Sequence, residues 1–207
     1  PAALFYLKGI VMASEVDICN SALNMIGASN IISLNEDSKA GRICNQRYAL
    51  VRDSVFRSHP WNCLMTRKTL SPDSVAPPFD YANQFTLPTD PYCLRVLRLQ
   101  DPDTVHKIEG RKLLCDDATI QLVYIARITD PNEYDQLLIE ALSSRMAMEI
   151  SYSLVNSTSL TQLMETQFNT KIREARFVDA TEGTPENITN QDQRTYAEGD
   201  IFIASRF

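Results

Sequence analysis

Glycine is scarce in this chain, with six in 207 residues. That leaves little material for a phosphate-cradling loop. Neither a G-x-x-x-x-G-K-[ST] run nor a G-x-S-x-G nucleophile elbow occurs. Histidine is scarcer still: there are two, His59 and His106, and no H-E-x-x-H. The five cysteines, Cys19, Cys44, Cys63, Cys93 and Cys115, are odd in number and form no C-x-x-C pair. This argues against a disulfide framework and against a structural zinc site, and leaves reduced, mostly buried thiols of a cytosolic setting. Basic residues are not in excess. Lys and Arg total 20 against 26 acids, for a net charge of −6. Such a balance disfavours a protein that grips nucleic acid by neutralising phosphates. It is compatible with an acidic or neutral wall past which a polyanion slides. Long apolar runs are missing too, so a membrane span is not expected. The first residues, "PAALFYLKGIVMASEVDICN", carry no basic stretch ahead of the apolar ones, unlike a signal peptide. Met12 opens a plausible start, "MASEVD", so residues 1–13 are read as an N-terminal extension.

What is present suits one globular domain, or one with an appendage: 44% hydrophobic and 22% charged residues. A first helix is expected from Glu15 to Ile26, with Ser14 and Asp17 as a capping box and Gly27 as a left-handed stop. Its apolar face is Val16, Cys19, Leu23 and Ile26. A second helix is expected from Ser38 to Ser58, capped by Asp37 or Ser38, with a stripe of Ala40, Ile43, Cys44, Tyr48, Val51 and Val55. Arg42, Arg47, Arg52 and Arg57 fall mostly off that stripe and read as a solvated or subunit-contacting face. Pro60 ends this helix and Trp61 follows as a large anchor.

The middle changes character. Five prolines lie between Pro72 and Pro91. Around them, "NCLMTRKTL", "NQFTL", "CLRVLRL", "TVHKI", "RKLLC" and "TIQLVYIARI" read as short strands of a small antiparallel sheet of four to six strands. Turns are expected at Glu109-Gly110 and at Asp116-Asp117-Ala118. Asp130 then reads as an N-cap, with Pro131 at the first helical position and Glu133 completing the box of a third helix that ends near Leu154. Its broad apolar side is Tyr134, Leu137, Leu138, Ala141, Met148 and Tyr152. A fourth helix is expected from Ser159, with Gln162 as box partner, to about Val178. Leu160, Leu163, Phe168, Ile172 and Ala175 form its face, and Lys171, Arg173 and Arg176 complement its C-terminal dipole. Beyond Glu182, "TEGTPENITNQDQRTYAEGD" is too polar to bury a core of its own, yet it ends in the apolar "IFIASRF".

The fold expected is therefore α+β, mainly α. A helical bundle of about four helices (residues 14–60 and 129–180) holds a β-rich insertion at 61–128 between helices two and three. An extended C-terminal arm covers 181–207.

Reactive groupings are few. His59 lies four residues before Cys63, but no third, orienting residue is evident for a thiolate pair. Asp116 and Asp117 read as a solvated turn. Glu140 and Glu149, nine apart on a helix, do not share a face as a glycosidase pair would. No catalytic, cofactor-binding or metal-ligating residue is assigned. A hydrolase of cell-surface polysaccharide and a small nucleic-acid-binding or regulatory module are the alternatives to a structural role.

An ordered series of segments carries a resemblance. They are "ICNSALNMIGASNIISLNED", "FRSHPWNCLMTRKTL", "YANQFTLPTDPYCLRVLRL" and "LVYIARITDPNEYDQLLIEALSSRMAMEIS", followed by "EAR" at Glu174–Arg176 and a closing "IASRF". In this order, over residues 14–180 with an echo at the end, the chain resembles the head-to-tail adaptors of short-tailed bacteriophages. In T7-like viruses this family is called tail tubular protein A. The resemblance implies a non-enzymatic virion protein of the tail, assembled in the host cytoplasm. It implies a ring expected to hold twelve subunits, seated between the portal protein and the tail nozzle protein. Genomic DNA would pass through the ring without sequence-specific binding, and in some viruses the ring offers a tail-fibre attachment. Neither a cofactor nor a membrane is implied. The arm becomes the portal-docking element, with Ile201, Phe202, Ile203, Arg206 and Phe207 as candidates: the two phenylalanines as anchors and Arg206 as a polar clamp. Arg42, Arg47, Arg52 and Arg57 become candidates for pairing with acids of neighbouring subunits.

Overall fold

The computed structural model describes residues 13–182. The helical part opens with α1, Glu15–Met25. The expected capping box is there: Asp17 N–H donates to Ser14 Oγ, and Ser14 N–H donates back to the Asp17 carboxylate. Ile26 leaves the helix and Gly27 takes φ +70°, the left-handed step that a glycine makes without steric cost. Helix α2, Lys39–Arg57, is capped by Ser38. Its first turn needs a glycine at 41, because a Cβ there would sit 2.7 Å from the Glu36 carbonyl oxygen.

Six strands follow: β1 Met65–Leu70, β2 Asn83–Thr86, β3 Cys93–Leu99, β4 Lys107–Glu109, β5 Lys112–Cys115 and β6 Ile120–Ala126. They form two three-stranded antiparallel sheets, ordered β1-β6-β3 and β2-β5-β4, where a single sheet was expected. The reason lies in β6, which is buried on both faces except at Gln121. Ile120, Leu122, Tyr124 and Ala126 face Phe85, Leu113 and Cys115 of the other sheet. Ile125 points the opposite way, into the helical core. A strand with two apolar faces needs a layer on each side. The second sheet supplies one and the helices the other. Irregular register between Cys93 and Arg95, and again between Val96 and Arg98, bends β3 along this layer. Glu109-Gly110 makes the expected turn, with Gly110 at φ +59°.

The strand-to-helix junction differs from the expectation. Asp130 caps only a 3-10 turn, Pro131–Glu133, and the exposed Glu133 side chain makes no capping bond among the described residues. The chain then extends at Tyr134, and α3 begins at Gln136, running Gln136–Val155. Asp135 is its cap, accepting from the N–H groups of Leu137 and Leu138. Tyr134 forces the break. Its ring packs edge-on against Phe56 with centroids 5.2 Å apart, and its hydroxyl donates to the Ile128 carbonyl at 2.8 Å. Burying that ring outweighs one more turn of helix.

Helix α3 packs against α1, α2 and the following helix. Its buried set is therefore wider than one stripe: Leu138, Ala141, Leu142, Met146, Ala147 and Ile150 are all buried, while Tyr152 is exposed. Asn156, in the left-handed conformation, ends α3. Ser157 immediately caps α4, Thr158–Thr181, two residues before the expected cap at Ser159. On the packed side Met164 is buried and Leu163, expected on the apolar face, is exposed.

Candidate assembly surfaces

The C-terminal end of α4 is firmly fixed. Met164, Phe168, Ile172, Ala175 and Asp179 recur at helical spacing on its inner side. Asp179 thus arrives, buried, at the link between α2 and β1. One carboxylate oxygen meets His59 Nε2 at 3.1 Å. The other accepts from Asn62 N–H at 2.9 Å. The Asn62 amide donates to the Asp179 carbonyl at 2.6 Å, and Arg176 donates to the Ser58 hydroxyl at 3.0 Å. Trp61, stacked edge-on with His59 at 4.7 Å, is buried and donates its indole N–H to the Val55 carbonyl. Lys171 and Arg176 are thus spent on lateral contacts, with Glu140 and Ser58, and not on the helix dipole.

Asp179 is the orienting partner for His59 that sequence reasoning did not find. The available signal was an acid sitting on an apolar stripe. Burial pushes the half-buried Cys63 thiol up, away from the thiolate. Glu140 pairs with Lys171 and Glu149 with Arg145 at 2.7 Å, so both helical acids are engaged within the bundle. Among the described residues no group of His, Cys, Asp or Glu could hold a metal ion.

The four arginines of α2 do not form one surface. Arg42 is exposed and pairs with Asp37. Arg47 is exposed, with no hydrogen-bond or ion-pair partner among the described residues. Arg52 is buried; it reaches Glu15 at 3.6 Å and Asp53 at 3.1 Å, and lies 5.8 Å from the Tyr48 ring centroid. Arg57 donates to the Leu94 carbonyl of β3. Arg52 is therefore buried within the chain, whereas Arg57 stays exposed while reaching β3. The helical period carries both off the main stripe, and α1 approaches Arg52 there through Glu15. Ile201, Phe202, Ile203, Arg206 and Phe207 lie outside the described residues, as does the extension at 1–12.

A basic face lies elsewhere. The sheet β1-β6-β3 holds Arg67, Lys68, Arg95 and Arg98 and not one acid. Register puts Arg67 and Arg98 on either side of Val123, on the side turned away from the second sheet. The cue was visible in "MTRKTL" and "CLRVLRL", but their common face was not. Beyond the far end of the same sheet, Asp101, Asp103, Asp116 and Asp117 line an open cavity of about 260 Å³.

No family model and no curated protein matches this chain. No helix among the described residues is long and apolar enough to cross a membrane.

Proposed function

We propose that this chain is a ring-forming head-to-tail adaptor of a short-tailed bacteriophage, joining portal to tail nozzle around the DNA exit channel. The ordered series of segments over residues 14–180 is one support. The structural observation that carries the reading is the anchored end of α4. A polar tether with an apolar tip is useful for docking only if its root is fixed, and Asp179 and Arg176 fix that root to the α2–β1 link. The antiparallel pair α3 and α4 adds a stiff lateral wall, with α4 about 36 Å long. The two-sheet layer adds a second contact zone. In such a ring many modest contacts sum around a closed circle. The portal would receive the arm, the nozzle protein would sit on the opposite side, and the virion tail would be the working location. Twelve copies are the expected number.

The test is the mass of the full chain by native mass spectrometry, alone and with the portal protein encoded in the same genome. A closed ring that appears or becomes stable with portal supports the reading. Masses unchanged by portal, with no ring in either sample, would sink it.

A further inference from the structure

Two surface groups with unspent charge have opposite sign. Arg67 and Arg98 are exposed and have no carboxylate partner among the described residues. Lys68 and Arg95 beside them meet only backbone carbonyls, those of Asp90 and Arg57. The lip formed by Asp101, Asp103, Asp116 and Asp117 holds four exposed carboxylates and no cation. Their hydrogen bonds come from neutral donors: Asp103 N–H to Asp101, Ala82 N–H to Asp116, and the Thr104 hydroxyl to Asp117. They do not converge as a metal cluster. The lip therefore has charge to offer and no ion geometry to satisfy it.

We propose that the Arg67–Val123–Arg98 row of one subunit receives the acidic lip of a second copy. This rests on the ring reading and names the contact that sets its register. Because the two surfaces differ, the contact is heterologous, the type that generates rings when the rotation closes. The helices cover the near end of the outer sheet face, through Ile125, Leu94, Met65 and Leu97, while Arg67 and Arg98 remain exposed and open to a partner. Val123, buried between the two arginine positions, gives the row an apolar centre. The contact selects orientation, since a copy docked row against row would bring like charges together.

The test uses the full chain and light scattering over a concentration series at low and high salt. Two variants reverse the charges separately: Arg67→Glu with Arg98→Glu, and Asp101→Lys with Asp103→Lys. Self-association of the wild type that weakens with salt is expected. Each variant alone should weaken it at least about tenfold, and an equimolar mixture should recover mixed assemblies. That rescue also shows that both variants are folded. If the wild type associates and the variants associate equally well, the pairing is overturned while the ring reading stands. If the wild type stays monomeric throughout, the pairing is overturned and the mass measured with portal decides the ring reading separately. Loss in the arginine variant without rescue, together with lost retention of duplex DNA, would reassign the row to a polyanion and overturn the pairing.

Discussion

Asp179 shows how much one buried residue can carry. Its carboxylate satisfies His59 and the Asn62 backbone together, and its carbonyl takes the Asn62 amide. Asp179→Ala should remove this carboxylate from the buried His59 ring and the half-covered Asn62 N–H and cost about 2 kcal/mol. For a chain of this size that lowers the melting temperature by roughly 4–8 °C, which a thermal melt followed by circular dichroism would read. Tyr48 presents the opposite case. Its ring is buried in the helical core, and its hydroxyl has no hydrogen-bond partner among the described residues. Burial pushes that hydroxyl's pKa up, so it stays protonated throughout the ordinary range. Tyr48→Phe removes an unpaired polar group and keeps the ring. Stability in urea should hold or rise by about 1 kcal/mol; a clear loss would mean the hydroxyl has a partner after all.

At the scale of elements, the junction before α3 separates two capping residues that look alike in sequence. Asp135 accepts from two N–H groups of the first turn, whereas Glu133 is exposed outside it. Asp135→Ala should cost about 1 kcal/mol and speed amide exchange in the first turn of α3. Glu133→Ala should change neither. The loop ahead of β2 is held by Asp73, which accepts from the Lys112 ammonium at 2.5 Å and from the Thr86 hydroxyl. Lys112 holds the Asp73 carboxyl below its usual value of 3.8. A depressed folded pKa gives stability that is present above the unfolded value and is lost as pH falls through the folded one. The clamp should therefore loosen only below about pH 3.8. Because the pair is partly exposed, salt should weaken it at neutral pH. Amide exchange of Asn83–Thr86 against pH reads this, and Asp73→Asn should abolish the dependence.

At the scale of the whole molecule, residues 13–182 form a helical bundle and a two-sheet layer that meet at β6, with the end of α4 pinned to the α2–β1 link. If the arm docks to portal through Phe202 and Phe207, then Phe202→Ala with Phe207→Ala should leave the melting temperature unchanged and abolish capture by portal in a pull-down. Capture at the wild-type level would remove the arm from the docking role. Melting and capture report on different parts of the chain, so an unfolded variant cannot pass for a docking defect.

The sequence by itself determined the elements whose signals are local. Ser14 with Asp17, Ser38, Gly27 and Gly110 act on backbone groups a few residues away, and each occurs where its chemistry placed it. The α+β order and the buried, free cysteines were legible for the same reason, since apolar periodicity is written along the chain. Tertiary structure decided whatever depended on distant partners. The Tyr134 ring, drawn to Phe56, moved the start of α3 past an apparently complete capping pattern. The two faces of β6 divided one expected sheet into two. Arg52 and Arg47 sit five residues apart on one helix, yet α1 claims the first and leaves the second in solvent. The surface proposed for pairing with a second copy belongs to this second group. Arg67 and Arg98 are thirty-one positions apart in sequence, and only strand register sets them on either side of Val123.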